Sequence, residues 1–161
     1  MKKAAMLSVQ PRWCELIAQG EKTVEIRKNR PKLEPPFTCY IYRTKGFVKH
    51  LVGGEWIDMP VDGTVIGEFT CDRLNQFKVF ENATVQDWHF AELENSCLTY
   101  EQVAEYVGLN HYGYAWHISN LKLYNKSKLL GDFKVRKTNK TWSFTKKMNK
   151  PPQSWCYIEE D

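Results

Sequence analysis

Residues 11–27 constrain the fold more than any other stretch of the chain. Pro11 suits the first turn of a helix, and Trp13, Leu16 and Ile17 recur at i, i+3 and i+4, the spacing of a short amphipathic helix. Gly20 closes that pattern. The next residues, Thr23-Val24-Glu25-Ile26-Arg27, alternate polar with apolar, and three of them are β-branched, so they read as a strand. Ala4 to Val9 reads as a strand as well, which sets strand, helix and strand within the first 27 residues. Alternation puts Val24 and Ile26 on one face of a half-buried strand and Thr23, Glu25 and Arg27 on the other. Glu25 and Arg27 are thus presented together with Lys22 at the mouth of the strand, a group suited to an anionic or polar ligand. The alternative is an exposed ion-pair set, worth little to stability.

Further along, Phe37 to Thr44 alternates with Phe37, Cys39 and Ile41 on one face. Lys45 to Gly63 reads as a long excursion with turns near Gly53-Gly54 and Asp62-Gly63. Thr64 to Asp72 is a strand in which Gly67 marks a bulge or a close backbone approach. A helix is expected from Thr84 to about Glu94, with Trp88 and Ala91 inward, and a second from Tyr100 to Val107, capped by Thr99 and stopped by Gly108. Gly113 to Tyr124 is a long strand with its register broken near Leu121, and Ser154 to Glu159 is a last strand after Pro151-Pro152. Five or six strands with these helices predict an α+β protein: a small mixed β-barrel with a short helix after the first strand and a helical insertion. No linker interrupts it, so residues 1–161 are expected to be a single domain.

Charge is unevenly spread. The net charge is only +4, yet residues 121–150 carry ten Lys/Arg against the single acid Asp132, while residues 81–105 hold six acids and no Lys or Arg. The basic excursion, about 125–150, reads as a phosphate-facing arm or as a solvated loop. Cys14, Cys39, Cys71, Cys97 and Cys156 are odd in number and never spaced Cys-x-x-Cys, which argues for reduced thiols in a cytoplasm and against a zinc site. Cys156, beside Trp155, reads as a buried thiol rather than a nucleophile. His50, His89, His111 and His117 lack metal-ligand spacing, and no apolar run approaches the roughly 18 residues of a membrane span. No cofactor, metal or membrane partner is therefore expected.

Ser8-x-Gln10-Pro11-x-Trp13, a short helix, Gly20-x-Lys22-x-x-Glu25-x-Arg27 and the late aromatic strand together resemble the ASCH domain, a family of the PUA-like superfamily of small β-barrels. The closing Lys150-Pro151-Pro152-Gln153-Ser154-Trp155-Cys156-Tyr157 resembles a subgroup of Gram-positive bacteria and their phages. The resemblance implies a cleft lined by Lys22, Glu25 and Arg27 that binds RNA or a modified nucleotide. Ser8, Gln10, Trp13, Lys28, Trp116, His117 and Trp155 are the further candidate contacts. A similar small bacterial member deacetylates acetylcytidine with a lysine, a threonine and a glutamate. Carried over, the lysine is Lys22, the threonine position holds Glu25 instead, and the glutamate falls near Glu94. Lys22, Glu25 and Glu94 are thus the candidate catalytic set of a hydrolase on an acylated cytidine or an RNA phosphodiester. A phage or host protein-interaction module is the third reading, since a fold does not fix a function.

Overall fold

The computed structural model describes residues 2–81 and 87–160. Strands β1 (Lys2–Val9), β2 (Val24–Arg27), β3 (Phe37–Arg43), β4 (Gly46–Val52), β5 (Glu55–Val61), β6 (Thr64–Lys78), β7 (Tyr112–Lys128), β8 (Lys134–Thr138), β9 (Ser143–Lys147) and β10 (Trp155–Glu160) are joined by helices α1 (Pro11–Ala18), α2 (Asp87–Ser96) and α3 (Tyr100–Val107). The expected start of α2 at Thr84 lies outside the described residues. Eight strands form one sheet in the order β2-β7-β6-β3-β1-β10-β8-β9, while β4 and β5 pair with each other. A barrel needs each strand flanked by two others. Here β2 and β9 end the order, so the sheet is not closed into the expected barrel. β4 and β5 stand apart as a hairpin of their own, and β8 and β9 lie at the end of the order opposite β2.

The chain divides into two compact units: one of Met1–Glu15, Thr38–Phe69 and Leu121–Asp161, the other of Leu16–Phe37 and Thr70–Asn120. In the first, β1 pairs parallel with β3, Leu7 opposite Ile41, and antiparallel with β10, Ala4 opposite Ile158. Ala4, Met6, Tyr42, Val65, Phe133, Met148 and Ile158 form its core. Gly67 matters here: a Cβ at this position would lie 2.5 Å from the Lys122 carbonyl oxygen and 3.1 Å from Leu123 Cα, so the two backbones approach closely. The basic excursion is not a bare loop. Phe133 leads into β8, which pairs with β9 in register Lys137 to Phe144. At the tip, Asn139 Oδ1 accepts from the amides of Thr141 and Trp142 at 2.9 and 2.8 Å, a side-chain-built turn.

In the second unit β2 pairs with β7, Glu25 opposite Trp116 and Val24 opposite His117. Val24, Ile26, Phe77, Val79, Val103, Val107 and Ala115 form the core. Gly20 adopts φ +78°, and the amides of Glu21 and Lys22 both donate to the Leu16 carbonyl at 3.0 and 3.1 Å, a tight helix exit. Helix α3 starts on a capping box: Thr99 Oγ1 accepts from the Gln102 amide at 3.2 Å and Gln102 Oε1 from the Thr99 amide at 2.9 Å. The expected inward residue Ala91 of α2 is exposed instead, and the helix buries Glu92 and Ser96, four residues apart.

Candidate functional site

The strand that alternation predicted to be half-buried is buried at all four positions of β2. Lys22, Glu25 and Arg27 are 2%, 8% and 6% exposed, so they are neither surface salt bridges nor open ligand contacts. They form a chain: Lys22 Nζ lies 3.2 Å from Glu25 Oε2, and Arg27 Nη2 lies 3.0 Å from Glu25 Oε1. Lys22 Nζ also donates to the carbonyls of Val24 at 3.0 Å and Ser96 at 2.6 Å. Ser96 is the last residue of α2, so this ammonium sits at a helix C-terminus, where carbonyls lack helical partners and the dipole favours a cation. The Thr23 amide adds a second bond there, to the Asn95 carbonyl at 2.9 Å. Buried charges persist when they are paired and hydrogen-bonded in this way.

A second polar group is built from β6, β7 and α2. Asn75 Nδ2 and His117 Nε2 both hydrogen-bond to Glu92 Oε1, the latter at 2.7 Å. Arg73 Nη2 lies 3.1 Å from His117 Nδ1. A guanidinium only donates, so Nδ1 accepts and the ring proton sits on Nε2, toward the carboxylate. Glu92 is 8% exposed, and its Oε2 is buried without a hydrogen-bond partner among the described residues. Arg73 is exposed, while Asn75 and His117 are partly buried. Directly opposed residues of an antiparallel pair share a face. His117 therefore lies on the face of Val24 and Ile26, whereas Trp116 lies on the face of Glu25 and Arg27.

The remaining sequence candidates fall as follows. Trp116 is 0% exposed and stacks edge-on against Phe37 with ring centroids 5.8 Å apart, so it offers no surface to a base. Its indole fills the core because the strand that carries it is covered on that face. Glu94 is exposed on α2 and does not join the buried charges; the turn of the helix gives the inward place to Glu92. Lys28 is exposed, with its ammonium 5.1 Å from the Tyr106 ring centre. In the other unit, Ser8 Oγ donates to the Pro152 carbonyl at 2.6 Å, Gln10 is exposed, Trp13 is half-buried with the Arg12 guanidinium 4.1 Å from its ring, and Trp155 stacks edge-on against Tyr157 at 5.2 Å.

Sequence reasoning missed Glu92, Asn75 and Arg73. Residues 73–76 are Arg-Leu-Asn-Gln, which breaks the alternation that marks a strand, so β6 was expected to end at Asp72 rather than Lys78. Among the described residues no group of His, Cys, Asp and Glu could hold a metal ion, and no helix is long and apolar enough to cross a membrane. All five cysteines are free thiols.

A large, mainly antiparallel sheet with a few helices places the chain among mixed α+β proteins. The sequence profile of the ASCH domain matches residues 7–153, and the chain belongs to that family. The fold is similar to the crystal structure of ASCH from Zymomonas mobilis, with a TM-score of 0.63 and 18% identity over 98% of this chain and 88% of that one. A Tyr-to-Phe variant of the Zymomonas mobilis protein gives 0.63 at 17% identity, covering 99% and 92%. Identity this low establishes likeness of fold alone. No curated protein matches the sequence. Nothing in these comparisons supports the Gram-positive and phage subgroup.

Proposed function

We propose that the protein binds RNA or a modified nucleotide over the polar group of the second unit, with Arg73, Asn75 and His117 as the contacting side chains. The observation that carries this reading is Glu92 Oε2, a buried carboxylate oxygen without a hydrogen-bond partner among the described residues, beside an amide, an imidazole and an exposed guanidinium. Leaving such an atom unsatisfied costs about 1–3 kcal/mol. A donor on a ligand, such as an exocyclic amine, offsets that cost on binding. Arg73 supplies a planar fork for phosphate. Lys22, Glu25 and Arg27 are too buried to be the outer contacts. In this reading they hold β2 and the end of α2 in place beneath the site, so the cleft expected on them is lined instead by their neighbours.

The test is titration of fluorescein-labelled oligoribonucleotides and of acetylcytidine against the parent and Arg73→Ala, Asn75→Ala and His117→Ala. Affinity should drop about tenfold or more in each variant, and RNA binding should weaken as salt rises. Equal affinities in all four proteins, or no binding by the parent, would dismiss the site.

The tautomer of His117 favours a second reading, hydrolysis. A carboxylate on Nε2–H and a lone pair on Nδ1 is the arrangement of a general base, once Arg73 turns to a phosphate. Turnover of acylated cytidine or of RNA by the parent, lost in His117→Ala and in Glu92→Gln, would establish it. No turnover by the parent removes it and leaves binding.

A further inference from the structure

We infer that the first unit carries a separate groove for the backbone of a single-stranded nucleic acid, lined by Lys137 and Lys146 of the β8–β9 hairpin, Lys150, Lys3, and the aromatic pair Trp155 and Tyr157. The inference goes beyond the site of the second unit and stands whether or not that site binds anything. The groove has a volume of about 910 Å³, near the top of the roughly 300–1,000 Å³ usual for ligand sites. Five cations line it against one carboxylate, Glu159. That carboxylate is itself held by Arg136, whose Nε lies 2.9 Å from Glu159 Oε1. The lysines therefore set the sign of the field in the groove.

The register explains how the cations converge. Lys137 pairs with Phe144 and Val135 with Lys146, so Lys137, Lys146, Val135 and Phe144 share one face of the hairpin. Lys137 and Lys146 are diagonal neighbours there, about 7–8 Å apart. On the opposite wall, Trp155 and Tyr157 project from β10 two residues apart, with Lys3 Nζ 5.5 Å from the Tyr157 ring centre. The floor is fixed in advance: Ser8 bonds the Pro152 carbonyl at 2.6 Å through its hydroxyl and the Ser154 carbonyl at 3.0 Å through its amide. Cations along a track with aromatic faces beside it are the pattern of single-strand binding, phosphates on the lysines and bases against the rings. An acidic peptide would use the cations and leave the rings idle.

Fluorescence anisotropy with fluorescein-labelled dT12 and rU12, across a series of salt concentrations, tests the groove. The double variant Lys137→Glu/Lys146→Glu should bind both at least tenfold more weakly than the parent. With Lys137→Gln/Lys146→Gln the slope of log K against log salt should flatten by about 1.4, two phosphate contacts at roughly 0.7 each. Acetylcytidine, which carries no phosphate, reports the second unit alone and should bind these variants as it binds the parent. The ratio of the dT12 and rU12 affinities assigns the sugar. Oligonucleotide affinity unchanged in the double variants overturns the proposal. So does no oligonucleotide binding by the parent, or competition by polyglutamate as effective as by an unlabelled oligonucleotide of equal charge. A His117→Ala protein that loses acetylcytidine while keeping dT12 separates failure of one site from failure of the other.

Discussion

Replacing Lys22 by methionine keeps the length of the side chain and removes its charge, which isolates what the buried ammonium contributes. Three oxygens around Nζ lose a charged donor: the Val24 carbonyl at 3.0 Å, the Ser96 carbonyl at 2.6 Å and Glu25 Oε2 at 3.2 Å. Removing one member of a buried ion pair costs about 3–5 kcal/mol, because the other charge stays behind in a poor solvent for it. Against a total stability of roughly 5–15 kcal/mol, that is a large fraction. At about 2–4 °C per kcal/mol for a chain of this size, the melting temperature should fall by roughly 6–20 °C. Urea unfolding at pH 7, followed by tryptophan fluorescence, gives the difference directly. Lys22→Gln, which retains an amide donor, should lose less and keeps the measurement possible if the methionine variant does not fold. In the double variant Lys22→Met/Glu25→Gln the two losses should fall short of additivity by about 1 kcal/mol or more, since the residues touch. A Lys22→Met cost below about 1 kcal/mol, the value of an exposed pair, would refute the reasoning.

Gly67→Ala should destabilise the protein by about 1–3 kcal/mol, since the obstructing atoms are backbone and cannot step aside; a neutral result in the same urea assay would contradict the close approach. Burial, partly offset by Lys137, raises the Cys156 thiol to about 11. Its thiolate fraction at pH 7 is then about 0.01%, against about 3% for an ordinary thiol, so iodoacetamide should label it over a hundredfold more slowly than glutathione, as read by mass spectrometry. The hydrogen bond from Arg136 holds the Glu159 carboxyl below its usual range. A depressed carboxyl stabilises the fold above its unfolded pKa, near 4.3, and that contribution disappears as pH falls through the folded value. Melting temperature should thus fall between about pH 5 and pH 3 in the parent and fall less in Glu159→Gln; parallel curves would count against the pairing.

The elements that the sequence disclosed were those with local signals. Pro11 and Gly20 bound α1, Thr99 and Gly108 bound α3, and period-two alternation marked β2 and β3. Closure of the sheet depends on which distant strands pair, which no local spacing records, and the barrel expectation failed there. The hairpins β4–β5 and β8–β9 were read as irregular because charge and glycine interrupt their alternation, although the Gly53-Gly54 turn was visible. Lys22, Glu25 and Arg27 were read as a group, and they do touch. Their depth was not legible, since strand alternation predicts one buried face and cannot show that the second is covered too. Glu92 was hidden for a different reason: three acids lie between residues 87 and 94, and only the phase of the helix separates an inward carboxylate from its exposed neighbour Glu94.

The contact between Lys22 and the last carbonyl of α2 also limits what protein engineering can do to this chain. Residues 79–111 look like a detachable excursion between two strands, the kind of segment that is ordinarily shortened to a tight turn at little cost. Here the cut would withdraw two carbonyl acceptors on which the start of β2 leans, Ser96 for the Lys22 ammonium and Asn95 for the Thr23 amide, together with the Val103 and Val107 side chains of its core. A trimmed protein should therefore be destabilised, and replacing Lys22 alone by an uncharged residue should not restore it, because the apolar cover of Val24 and Ile26 leaves with the helices. The helices of that segment are a buttress for the strand, fastened by a cation, a backbone amide and a shared apolar core.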